Sequence, residues 1–132
     1  MAASTARHTT KGYLVRRLQD APTVPCPCGE STRPLTAADT PVCNLHVTHI
    51  TDSEKHYHKQ CTEVYYILEG RGRMELGDDV IDVETGMVIY IEPFTAHRLW
   101  GDVRTIVFGV PAIEHTDEFF VREAAGAGTG SA

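Results

Sequence analysis

The sequence predicts an all-β, single-domain protein, a sandwich or barrel of the jelly-roll kind. From Cys43 onward the chain is a succession of short runs rich in Val, Ile, Tyr and Thr: CNLHVTHIT, EVYYILE, RMELG, DVIDV, MVIYI, HRLW and RTIVFGV. Gly, Asp or Pro separates most of them, the alternation of strand and turn that all-β folds show. Its 132 residues are a single-domain length, enough to bury roughly 65–70% of the unfolded surface.

Ahead of these runs, residues 13–18 (YLVRRL) read as a first strand. Residues 22–33 (PTVPCPCGESTR) hold three prolines and a glycine, and read as a loop. Residues 1–41 are thus expected to pack, as one strand and a Pro- and Cys-containing loop, on a barrel formed by residues 42–116. The polar stretch 29–33 within that loop could cap the mouth of the barrel or reach a partner subunit, with a plain connection as the simpler role. Within the barrel, Gly77-Asp78-Asp79 and Gly70-Arg71-Gly72 read as hairpin turns. Residues 117–132 form a C-terminal segment: DEFFVR at 117–122 reads as a helical turn or docking segment, and the small-residue stretch 124–132 as a disordered tail.

A net charge of −6 argues against nucleic-acid or anionic-membrane partners. No apolar run approaches the roughly 18 residues of a membrane span, and the polar N-terminus does not resemble a secretory signal. A cytoplasmic location is the expectation. Cys26, Cys28, Cys43 and Cys61 are accordingly read as free thiols; Cys26-Pro27-Cys28 lacks the spacing and the second pair of a structural zinc site.

His56, His58, Glu63 and His97 are four residues of metal-ligand type. Side chains alternate along a strand, so His56 and His58 share a face, about 7 Å apart at the backbone. Glu63 lies an odd number of positions past His58, so a bend or bulge at Lys59, Gln60 and Cys61 must restore its direction. His97 follows Pro93 on a return strand. Three imidazoles and a carboxylate suit one divalent transition-metal ion (Fe, Mn, Ni, Co, Cu or Zn), leaving positions open for water or a small-molecule substrate.

Parity adds Cys61, Tyr65 and Ile67 as cavity-lining candidates and turns Tyr66 and Leu68 outward. Met87, Ile89 and Ile91 make an apolar wall, and Phe94 and Trp100 are read as packing groups. His46 and His49 face opposite sides, so at most one points inward. Arg33, Arg98 and Arg104 are the available anion anchors, with Arg98 facing away from His97.

The spacing His56-x-His58-x4-Glu63-x6-Gly70 resembles the first motif of the cupin superfamily, G-x5-H-x-H-x3,4-E-x6-G. Gly86-x5-Glu92-x-Phe94-x2-His97 resembles the second, G-x5-P-x-G-x2-H-x3-N. Ile50, Glu92, Phe94 and Gly101 stand where the motifs carry Gly, Pro, Gly and Asn; none of these positions is a ligand position. The resemblance, over residues 42–110, implies a double-stranded β-helix barrel with a metal held by His56, His58, Glu63 and His97. It implies a small-molecule metalloenzyme of dioxygenase, isomerase or lyase type, or a non-catalytic sugar- or small-ligand-binding protein, because the superfamily hosts both. A homodimer is expected from the same resemblance and from outward Tyr66 and Leu68.

Overall fold

The computed structural model describes residues 8–121, so the tail at 124–132 lies outside the described residues. Among the described residues, nine strands form one sheet: β1 (Thr23–Cys26), β2 (Gly29–Leu35), β3 (Asn44–Asp52), β4 (His56–Tyr57), β5 (Thr62–Leu76), β6 (Asp79–Glu84), β7 (Val88–Ile91), β8 (His97–Val110) and β9 (Phe119–Phe120). The long strands β5 and β8 pair antiparallel from Thr62↔Val110 to Leu76↔His97. The other edge of β8 carries β3, extended by β2 and β1, and also β4, which in turn pairs β9. The other edge of β5 carries β7 toward one end and β6 toward the other.

This sheet curls as the half-barrel of a jelly roll, and its concave face holds the core. Ile50, Tyr65, Ile67, Met74, Val83, Ile89, Ile91, Leu99, Val103 and Val107 form one buried apolar cluster, against which Met87 is packed. Alternation explains the membership: Ile89 and Ile91 point in, while Val88 and Tyr90 are exposed. Tyr66 is likewise exposed and Leu68 half-buried. No helix among the described residues is long and apolar enough to cross a membrane.

Four sequence expectations are corrected. Residues 13–17 form no strand, and Leu18–Asp20 is a short 3-10 turn. Residues 13, 14 and 15 are exposed, so a strand there would have no core to cover. Residues 22–33 are not a loop but most of the β1–β2 hairpin. Its prolines are tolerated because β1 is the edge strand, where Pro25 can lack an N–H without breaking the ladder. The hairpin turn at Pro27 and Cys28 also joins Cys26 to Cys28 in a disulfide, with Cα atoms 5.2 Å apart, so these two are not free thiols; Cys43 and Cys61 are.

The fourth correction concerns Gly70-Arg71-Gly72, which is no turn. β5 runs straight through it and carries one extra residue between Ile67 and Glu69 relative to β8. This bulge switches the inward parity of β5 from Glu63, Tyr65 and Ile67 to Met74. Gly70 has φ +98°, and a Cβ there would collide with the carbonyl oxygen of Asp102. A close backbone approach, not a reversal, is what the glycine permits. Gly77-Asp78, by contrast, is the predicted hairpin turn between β5 and β6.

Gly70→Ala should destabilise the fold by about 2 kcal/mol or more, because it adds both a positive-φ penalty and a steric clash. Urea denaturation monitored by Trp100 fluorescence measures this; an unchanged midpoint would show that the bulge does not need glycine.

Candidate metal centre

The site forms where β4, β5 and β8 meet. His56 on β4 pairs directly with His97 on β8. His58 follows β4, and Glu63 stands near the start of β5. One ligand-type atom from each of the four lies within 4.8 Å of all the others. Ligand distances of roughly 2.0–2.2 Å place ligand atoms about 3 Å apart when adjacent around an ion and about 4.2 Å when opposite, so this cluster has the right size.

Hydrogen bonding fixes the chemistry of the three rings. His56 Nδ1 lies 2.8 Å from the Glu54 carbonyl oxygen, His58 Nδ1 2.6 Å from that of Asp117, and His97 Nδ1 2.9 Å from that of Thr95. A carbonyl can only accept, so each Nδ1 carries the hydrogen. In the neutral rings every Nε2 is then a lone pair, and these are the nitrogens aimed at the cluster. His97 Nε2 is 3.1 Å and His58 Nε2 3.2 Å from the same oxygen, Glu63 Oε1. His58 Nε2 is buried without an aligned hydrogen-bond partner.

Lone pairs facing a carboxylate at this distance repel it unless a proton or a metal ion stands between them. Protonating all three would place imidazolium rings side by side, with centroids 4.4 Å (His56–His97), 5.1 Å (His56–His58) and 5.6 Å (His58–His97) apart. Like charges so close oppose one another. Burial, followed by neighbouring His97, holds His56 down to about 4. Burial also opposes charge on His58, but the Glu63 carboxylate outweighs it and raises this ring to about 8. Burial pushes Glu63 up, yet His58 and His97 together overcome that and hold it well below the usual carboxylate range. The donor set therefore fits a single divalent ion: one fixed carboxylate and three rings presenting the correct nitrogen.

The bend expected at residues 59–61 is present, and a residue far along the chain builds it. The Asp117 carboxylate accepts from the backbone N–H of Lys59 (2.7 Å), Gln60 (3.1 Å) and Cys61 (3.0 Å), while its carbonyl holds His58. Asp117 thus clamps the segment that returns Glu63 to the face of His58. β9, just beyond it, pairs with β4 beside His56. Before His97, Phe94 adopts φ +69° where the motif has glycine, and its N–H donates to the His58 carbonyl (2.7 Å). The altered turn keeps the glycine-like backbone with a side chain that stacks near Tyr57.

A cavity of about 360 Å³ opens over His56, His58 and Glu63. Tyr65 lines it. Cys61 and Ile67 do not: Ile67 is sealed in the apolar core, and the Cys61 sulfur turns to the Thr62 carbonyl. Burial, then Glu63, pushes the Cys61 thiol up to about 12, so it stays protonated. Lining groups not singled out as site residues from sequence are Ser31, Thr48, Glu54, Glu114 and Glu118. Glu118 sits 3.9 Å from His56 Nε2, and burial raises its pKa. His46 also lines the cavity while His49 is exposed, as their parity requires; Arg98 pairs with Asp52 outside it.

Comparison with known proteins agrees with this architecture. A family model described as "Cupin domain" matches residues 45–106. An uncharacterized protein of Methanocaldococcus jannaschii is 48% identical over 44 residues, which are 33% of this chain and 35% of that protein, so the likeness spans about a third of its length. A crystal structure of a protein from Planctomyces limnophilus superimposes with a TM-score of 0.76 at 27% identity, over 82% of this chain and 96% of that one. Pac13, a nucleoside dehydratase, superimposes with a TM-score of 0.72 at 14% identity, over 88% and 97%.

Asp117→Ala should weaken metal binding by about 10- to 100-fold, the usual cost of losing a group that orients ligands. Competition with a metal-chelating dye reads the affinity. Binding equal to the parent's would mean that the bend holds Glu63 without its clamp.

Proposed function

We propose that this chain, whose residues 45–106 match the cupin domain model, is a divalent-metal-dependent enzyme acting on a small polar metabolite by proton transfer of the isomerase or lyase kind. The observation that carries this reading is the convergence of the His58 and His97 Nε2 atoms on Glu63, with His56 in the same cluster, beneath a cavity of about 360 Å³. A divalent ion held by His56, His58, Glu63 and His97 would supply Lewis acidity toward a substrate oxygen.

The remaining work falls to the side chains of the cavity. Glu118, beside His56, is a carboxylate outside the ligand set with direct access to a molecule in the cavity, and it is placed to take or return a proton. Tyr65 lines the same space with a neutral phenol, because burial and then Glu63 raise its pKa well above the ordinary value. Ile50, Val107, Ile113 and Phe120 form apolar wall that limits water. Non-catalytic binding and dioxygenation use the same four ligands; the presence of Glu118 favours proton transfer over both.

Metal analysis of protein purified without chelators should find about one transition-metal ion per chain, and His97→Ala should lose it while remaining folded. Solvent-deuterium incorporation into small hydroxy and oxo compounds, followed by NMR, should mark the substrate class. Glu118→Gln should then slow exchange by about 100-fold or more at unchanged metal content. Oxygen uptake without deuterium exchange would contradict the proton-transfer reading, and a wild type that neither contains nor takes up metal would contradict the metal centre.

A further inference from the structure

The cavity has a second polar wall that metal binding does not use. Ser31 and Arg33 come from β2, and His46 and Thr48 from the neighbouring strand β3; all four line the space. Thr48 Oγ1 donates to Ser31 Oγ (3.4 Å), and Arg33 Nε donates to the same Ser31 oxygen (3.1 Å). Ser31 and Thr48 are buried, so this is a built arrangement rather than a loose surface charge.

Arg33 differs from the other arginines that make contacts here. Arg16 is held by Asp39, Arg73 by Asp82, and Arg98 by Asp52 and Glu75. Among the described residues, no carboxylate lies within ion-pairing distance of Arg33. With Nε engaged by Ser31, both terminal nitrogens keep their N–H groups, and that end of the guanidinium matches two oxygens of one planar acid. His46, one strand away, has a buried Nε2 with no hydrogen-bond partner. The orphan imidazole nitrogen and the uncompensated guanidinium belong to side chains of one cavity wall, and each lacks a partner.

We propose that the cavity binds a small metabolite carrying a single carboxylate, held by Arg33 and His46 while the rest of the molecule reaches the His56–His58–Glu63–His97 group. This rests on the metal-dependent reading of the site. The charge balance selects the acid. Glu54, Glu114 and Glu118 also line the cavity, so Arg33 can neutralise one negative charge but faces surroundings that oppose a second. A carboxylate meets that condition better than a phosphate dianion does. Apolar Ile50, Val107 and Ile113 between the polar groups fit the short carbon skeleton of such an acid.

The test is calorimetric titration of the metal-loaded full chain with glycolate, lactate, 3-hydroxybutyrate and 2-oxobutyrate, each against its uncharged amide, and with inorganic phosphate. At least one acid should bind ten times or more as tightly as its amide. Arg33→Gln should abolish that preference and Arg33→Lys should keep part of it. His46→Leu should weaken the acid several-fold, with melting temperature and metal content unchanged in all three variants. Equal binding of acids and amides, a preference that survives Arg33→Gln, or phosphate binding more tightly than every acid through Arg33 would overturn the proposal. Metal analysis of the same samples separates the two claims. A metal-free wild type that still prefers acids through Arg33 rejects the metal reading alone, whereas full metal occupancy without any acid preference rejects this one alone.

Discussion

Three backbone carbonyls, those of Glu54, Thr95 and Asp117, hold the rest of the site to its chemistry. Each takes the Nδ1 hydrogen of one histidine and so turns the other nitrogen into a lone pair. Because the His58 and His97 lone pairs point toward Glu63 and His56 joins them within 4.8 Å, the cluster is complementary to a positive charge at one place. Backbone acceptors are dependable for this purpose, since their positions are set by the strands and cannot rotate away as a side chain can. The fold thereby specifies tautomer and orientation together, which is the part of a metal centre that ligand identity alone leaves open.

The three segments that carry these carbonyls into place are far apart in the chain. The strand β4 provides His56 within two residues of Glu54, and Asp117 arrives 59 positions after His58. Asp117 has two tasks at once: its carbonyl orients a ring, and its carboxylate takes three N–H groups that a tight bend leaves without strand partners. The bend resolves a parity problem inherent in the sequence, and the bulge beyond Ile67 resolves a second one by returning the far half of β5 to the core. Both irregularities lie on β5 or at its threshold, and they flank the residues that face the cavity. Irregular backbone is concentrated where direction matters most.

Much of the site was legible because its signal is local. His56, His58 and Glu63 fall within eight residues, and strand alternation converts their spacing into a face and a required bend. His97 was legible through spacing from Gly86, even though Phe94 replaces a glycine; the structure shows Phe94 accepting the positive φ that the turn demands. Glycine's two uses look alike in one sequence, so Gly70 and Gly72 read as a turn when they serve close approach to β8. Prolines read as a loop because a sequence does not disclose that a strand will lie at an edge. Asp117 and Glu118 joined the site through pairing of a two-residue strand, a signal too short for composition or periodicity to register. Arg33 was visible as a cation, but only tertiary contacts separate it from Arg98, which is spoken for by Asp52 and Glu75.

The polar inventory of the cavity thus divides into a ligand cluster, a neighbouring carboxylate and an arginine-bearing wall, and each depends on the first being what its tautomers imply. X-ray absorption at the edge of a bound ion tests that most directly. In protein loaded with one equivalent of a divalent transition metal, the account predicts nitrogen and oxygen neighbours only, with the multiple-scattering pattern of three imidazoles. Sulfur among the neighbours, or a single imidazole, would place the ion elsewhere and contradict it.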